Sequence, residues 1–232
     1  MQPHRVLLVD DEPEIGAALF AWLERQGYDA SFAEGPEQAD ALLAAREFDV
    51  VLSDIQMPGN FRLEWITRQL QAPCPPPVLL MTGNPELETA MRAANLPIAG
   101  YLLKPLFYDE VAATLERLAR DHRRRRELLD LSHEVTRLLA DAAPAASDPL
   151  ADALHRLARQ LAAEAQRSPR ETKCADAAGP WREAVAETIV VLEKTKHSFR
   201  SRELGELRRR LQQLVPAKPA REPRSPCDVA SS

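Results

Sequence analysis

The chain has 232 residues, of which 45% are hydrophobic and 28% charged, a composition that suits one ordinary domain with a smaller companion and excludes wholesale disorder. No apolar run nears the ~20 residues of a spanning helix, so membrane insertion is not expected. Residues 1–119 hold 8 Lys+Arg against 18 Asp+Glu, a balance of -10, whereas residues 150–232 hold 16 against 11, a balance of +5; two modules with different partners follow.

After Met1-Gln2-Pro3-His4-Arg5 come only four apolar residues, Val6-Leu7-Leu8-Val9, and then Asp10-Asp11, which reads as a buried strand rather than a signal peptide. Cys74, Cys174 and Cys227 are odd in number and far apart, against a disulfide framework or zinc cluster; a cytoplasmic chain is expected. Residues 14–26 read as a helix with Ile15, Leu19 and Leu23 inward, Asp29–Phe32 as a second strand, and 36–46 as a helix with Ala39, Leu42 and Leu43 inward. Strands follow at Asp49–Ser53, Val78–Met81 and about Ile98–Leu103, with helices near 62–71, 85–94 and from Phe107 onward. Strands alternating with helices predict an α/β domain, a doubly wound five-stranded parallel sheet.

The rear half holds no convincing strand. Val111, Leu115 and Leu118 continue one helical stripe. Arg123-Arg124-Arg125-Arg126 interrupts it, and Leu128, Leu131, Val135 and Leu138 then form a two-heptad seam that predicts a homodimer through the helical extension. No Pro or Gly lies between 106 and 143, so one long helix is expected. Asp148-Pro149 opens a helix with Leu150, Leu154, Leu157 and Leu161 on one face. Residues 168–180 read as a loop. Helices near 181–195 (Trp181, Val185, Ile189, Leu192) and 201–214 (Leu204, Leu207, Leu211, Leu214) complete a small all-α bundle. Pro216, Pro219, Pro223 and Pro226 predict a disordered tail. The expected domains are 1–120, an extension over 121–144, a helical output module over 145–215, and a tail over 216–232.

Ligands of open parallel sheets bind at the carboxyl ends of the strands. The residues there are Asp10-Asp11 after the first strand, Asp54 after the third, Thr82 after the fourth and Lys104 at the end of the fifth. Crowded carboxylates need a cation, and hard oxygen ligands favour Mg²⁺. Carboxylate, metal, ammonium and hydroxyl together suit formation of an acyl phosphate.

Val9-Asp10-Asp11-Glu12, Asp54-Ile55-Gln56-Met57-Pro58-Gly59, Met81-Thr82-Gly83 and Tyr101-Leu102-Leu103-Lys104-Pro105 each follow or end an apolar strand run. Together they resemble the receiver domain of two-component response regulators over residues 4 to about 120. The resemblance implies a flavodoxin-like fold with Asp54 as phosphoacceptor. It implies Mg²⁺ held by Asp11, Asp54 and the Gln56 main-chain carbonyl, with Asp10 acting through water. Thr82 and Lys104 would grip the phosphoryl group, and Tyr101 would swing inward when Thr82 moves. Where the family has a glycine after the proline loop, Arg62 stands here; a non-glycine residue disfavours positive φ, so an altered loop is expected.

The resemblance makes the chain a response regulator phosphorylated by a sensor histidine kinase or phosphotransfer protein, with no separate enzyme domain. Its rear module is expected to signal to a downstream protein. Lys194, Lys196, Arg200, Arg202, Arg208, Arg209 and Arg210 make a DNA-binding transcriptional regulator the alternative, but they lie late in the second helix and that helix opens with Glu203, so DNA is not favoured. Leu131-Ser132-His133-Glu134-Val135 is similar to the phosphoacceptor box of histidine kinases without its usual proline, and a phosphorelay role for His133 is the second alternative. His122 reads as a solvated helix residue.

Overall fold

The computed structural model describes residues 3–142, 149–166, 180–195 and 202–214. Its elements are β1 (Arg5–Val9), α1 (Pro13–Arg25), β2 (Asp29–Ala33), α2 (Pro36–Ala45), β3 (Val50–Asp54), α3 (Glu64–Gln69), β4 (Val78–Thr82), α4 (Leu87–Asn95), β5 (Gly100–Leu103), α5 (Tyr108–Ala142), α6 (Pro149–Ala165), α7 (Pro180–Thr195) and α8 (Arg202–Leu214). The expected strands and helices are all present, with α3 shorter than the 62–71 expected. The expected 168–180 loop and the tail beyond 216 lie outside the described residues, apart from Pro180 at the start of α7.

The sheet order is β2-β1-β3-β4-β5, every pair parallel. Period-two alternation sends neighbouring residues to opposite faces. Leu7, Val9, Val51 and Leu80 pack with Ala39, Trp65, Ile66 and Ala93 on one face. Val6, Leu8, Leu52 and Met81 pack with Leu19, Leu23, Val111 and Leu115 on the other. Both faces are covered, which is why these strands are continuous apolar runs rather than alternating ones. Gly16 lets α1 close on β2: a Cβ there would sit 2.4 Å from the Phe32 ring.

Two burial assignments change, in opposite directions. Ile15 is exposed, and Gly16, Leu19, Trp22 and Leu23 are the buried positions of α1. His122 is not solvated but buried, with 3% of its surface exposed; it sits on the face of α5 that carries Arg123 and Arg126, and those guanidinium groups reach the carboxylates of Asp49 and Glu47.

The described residues fall into two compact units. The first holds the residues up to Leu131 and from Leu161 to Gln166; the second holds Ser132–Gln160 and the described residues from Pro180 onward. The second unit is held by ties from helix to helix. Ser132 Oγ donates to the Ala158 carbonyl, linking α5 to α6, and Thr188 Oγ1 donates to the Ala153 carbonyl, linking α6 to α7. Arg210 on α8 pairs with Glu134 on α5. Val185, Leu192, Leu207 and Leu211 are buried. The α5 seam Leu128, Leu131, Val135 and Leu138 is itself buried within the single chain.

Candidate functional site

The carboxyl ends of β1, β3, β4 and β5 meet at one rim, beside the point where the strand order reverses between β1 and β3. Register places Asp54 beside Met81 and Thr82 beside Leu103. Asp10, Asp54 and Thr82 are all buried. Lys104 Nζ donates to Asp10 Oδ2 at 2.9 Å and to Asp54 Oδ2 at 2.7 Å. The other Asp54 oxygen accepts from the backbone N–H groups of Ile55, at 2.5 Å, and Gln56, at 3.1 Å. Asp54 is therefore aimed by the loop that follows it and neutralised by a side chain fifty residues away.

One carboxylate oxygen from each of Asp10, Glu12 and Asp54 lies within 4.8 Å of the others. Glu12 is the member the sequence reading left out. It stands two residues after Asp10, whose Oδ1 accepts the Glu12 backbone N–H at 3.0 Å, and that local turn was the available signal. Asp11 is next to this group: burial pushes its carboxyl above the usual value, and repulsion from Asp54 and Asp10 adds to this. An all-oxygen donor set of this kind fits Mg²⁺. Burial by itself would lower the Lys104 ammonium, but its bonds to Asp54 and Asp10 outweigh that and hold it above the ordinary lysine value. The lysine therefore stays charged at any neutral pH.

Thr82 sits on the adjacent strand, its Oγ1 accepting the Asn84 backbone N–H at 3.1 Å. Gln56 Nε2 reaches the Asn84 carbonyl at 3.4 Å, linking the loops after β3 and β4. Tyr101, Thr82, Gln56, Phe61, Glu86 and Thr89 line a small adjoining cavity of about 60 Å³. The Tyr101 hydroxyl is buried without a hydrogen-bond partner. Burial raises its pKa, with Asp54 and Glu86 adding to the shift.

The loop after Asp54 keeps its turn in an unexpected way. Arg62 does not take the left-handed conformation; Leu63 does, at φ 62°, as the N-cap of α3. Its side chain is completely buried in the core, so apolar burial holds a backbone conformation that L residues disfavour. Asn60, also fully buried, ties the loop together. Its Nδ2 donates to the Asp54 carbonyl and its Oδ1 accepts the Ile66 N–H.

In the second unit His133 is exposed. On α8 the exposed side chains include Arg202 and Arg209 but also Glu203 and Glu206.

The response regulator receiver domain family matches residues 6–116. The transcriptional regulatory protein ZraR of Escherichia coli O157:H7 is 36% identical over 119 residues, covering 50% of this chain and 27% of that protein. The transcriptional regulatory protein AruR of Pseudomonas aeruginosa is 34% identical over 121 residues, covering 50% of this chain and 49% of that protein. The chain thus spans less than half the length of these relatives. Among solved structures, the signal receiver domain of an HD domain-containing protein from Pseudomonas fluorescens Pf-5 is 31% identical, with a TM-score of 0.48, covering 52% of this chain and 98% of that one. With the five parallel strands, the acidic rim and its lysine already in place, residues 6–116 are the receiver domain of a two-component response regulator.

Proposed function

We propose that Asp54 accepts a phosphoryl group from a sensor histidine kinase or phosphotransfer protein, and that the receiver hydrolyses it again without a separate enzyme domain. The observation that carries this reading is the Asp54 carboxylate held between Lys104 and two backbone N–H groups, with Asp10 and Glu12 beside it. An Asp54 oxygen attacks phosphorus in line; the new O–P bond forms as the P–N bond of the donor phosphohistidine breaks, and the electron pair returns to the imidazole. Lys104 and Thr82 bind the phosphoryl oxygens, and the Lys104 ammonium exchanges its Asp54 contact for them. Asp10, Asp11, Glu12, Asp54 and the Gln56 carbonyl are the residues to hold Mg²⁺, which when bound supplies positive charge against the phosphoryl oxygens. Tyr101 and Thr82 form the switch pair. The test is labelling of the full chain with acetyl phosphate, with and without Mg²⁺, the phosphorylated residue mapped by mass spectrometry. Label on any residue other than Asp54 would overturn the assignment.

Output through the helical rear module to a protein partner is the reading supported by α8, whose exposed arginines are balanced by glutamates. Its alternative is DNA binding, favoured by the names of the relatives as transcriptional regulators. Selection from random duplex DNA separates the two: one enriched motif, lost on Arg202→Ala or Arg209→Ala, establishes the second. A homodimer through the α5 seam requires Leu131 and Val135 to leave positions where one chain already buries them. No helix of the described residues is long and apolar enough to cross a membrane, and the proposed setting is the cytoplasm.

A further inference from the structure

The rim at the amino ends of the strands carries a second ionisable cluster, entirely within the first unit. Asp49, immediately before β3, is completely buried. Its Oδ2 accepts the Arg5 backbone N–H at 2.7 Å and two Arg123 donors, Nε at 2.9 Å and Nη2 at 2.6 Å. Arg123 also donates to the Pro3 carbonyl. Glu47 pairs with Arg126 and, at 3.3 Å, with Arg5. His4 lies 4.0 Å from Asp49 and 3.3 Å from Glu116. Arg123 and Arg126 stand beyond residue 116, where the family match ends. These contacts therefore fasten a part of α5 that lies beyond the residues the family matches.

The fastening is polar where the rest of α5 is held by apolar packing. Val111, Leu115, Leu118 and Ala119 belong to the sheet core, whereas positions 122, 123 and 126 share a helix face by their spacing. Within this face His122 is buried, and its Nδ1 has no hydrogen-bond partner. Asp49 Oδ1 and His4 Nδ1 are likewise buried without partners. The charged groups acting on His122 are Arg125 and Arg126 on its own helix and Glu47 and Asp49 from the segment before β3; His4 and Arg5 reach the same carboxylates from the start of β1. A buried imidazole beside two guanidinium groups has no room for a further positive charge, so a proton there works against the docked helix.

We propose that Asp49 and Glu47 latch the extension of α5 to the amino-end rim through Arg123 and Arg126, and that protonation of His122 releases residues 120–131 from it. The latch stands opposite the acidic pocket and uses none of its residues, so the extension can be freed by acid independently of the phosphorylation chemistry.

Hydrogen exchange of the full chain, read by mass spectrometry and corrected for intrinsic rates, tests both halves. At neutral pH the paired-charge variant Asp49→Asn/Arg123→Gln, which leaves no buried charge alone, raises exchange over 120–131 about tenfold while β3 and β4 stay protected. On acidification to about pH 5 the unmodified chain shows the same local opening, because its imidazole is drawn toward its ordinary value once exposed. His122→Leu stays closed at both pH values. Unchanged exchange over 120–131 in the double variant overturns the latch. Equal acid opening in the unmodified chain and His122→Leu, or none in either, overturns the assignment of His122 as its trigger.

Discussion

Asp54 and Asp49 bracket the same strand, five positions apart, and both are buried, yet they sit in opposite electrostatic settings. Around Asp54 three carboxylates gather, and two of them, Asp10 and Asp54, share a single ammonium. Around Asp49 a single fully buried carboxylate accepts from an arginine and a backbone N–H, with a second arginine and a histidine at 4.0 Å. An excess of carboxylate over cation is a standing demand for positive charge, which a metal ion would supply at the proposed phosphoryl-accepting site. An excess of cation over carboxylate is already satisfied and serves to hold elements together. Burial does not decide which aspartate is chemical and which structural; the ratio of counter-charges around it does.

The sharpest way to break this contrast is to neutralise each aspartate in turn. Asp54→Asn should abolish Mg²⁺-dependent labelling by acetyl phosphate, whereas Asp49→Asn should label at a rate near that of the unmodified chain. Intact-mass spectrometry reads both. Labelling that survives in Asp54→Asn, or disappears in a folded Asp49→Asn, would show that the two rims are not divided as described. In stability the order reverses. Burial opposes the Asp49 charge, but the bonds from Arg123 and Arg5 win and hold its carboxyl below the ordinary value. Asp49→Ala removes the buried acceptor shared by Arg123 and the Arg5 N–H and should cost about 1–3 kcal/mol. Denaturant unfolding measures this, and a loss under about 1 kcal/mol would make the pair a surface-grade contact.

A comparable effect should appear in the pH dependence of stability. His122 is pushed down from 6.5 to about 4, first by burial and then by Arg126 and Arg125. Between these values the unfolded chain binds a proton that the folded chain refuses. Stability is therefore complete above the unfolded value and falls as the pH drops through the window, by up to roughly 3 kcal/mol. Comparing urea midpoints of the unmodified chain and His122→Leu between about pH 7 and pH 5 isolates this contribution; identical slopes would remove His122 from the account.

The pocket rim was legible in the sequence because each of its residues follows an apolar strand run: Asp10, Asp54, Thr82 and Lys104 stand at the strand ends that the runs mark. The amino-end rim was not. Arg123 and Arg126 lie in a run of four arginines, which by composition reads as a solvated helix face, and their partners Asp49 and Glu47 are about seventy-five residues away. Only the packing of α5 against the sheet brings them together. His122 was misjudged for the same reason, since a histidine beside four arginines gives no local sign of burial. The α5 seam shows a third limit. Its 3-4-3 spacing announces an apolar face but not its cover, and one chain buries it without a second copy.

The smallest expected effect separates the two rims by what shapes them. Asp49 is held by Arg123 and by a backbone N–H of the neighbouring strand β1, whereas Asp54 is held by the loop that follows it: the backbone N–H groups of Ile55 and Gln56, and the Asn60 side-chain amide on its carbonyl. That loop must therefore keep its shape for the site to work. A glycine at position 62 would look like a repair if the turn needed its freedom there. The left-handed residue is instead Leu63, kept in place by a fully buried side chain, while Arg62 is exposed and its N–H already donates to Glu64 at 2.9 Å. Arg62→Gly then relieves no strain and only widens the freedom of the unfolded chain, so it should lower stability by about 0.5–1 kcal/mol. Labelling of Asp54 should hardly change. A gain in stability, or faster labelling, would mean that residue 62 and not Leu63 sets the turn that aims Asp54.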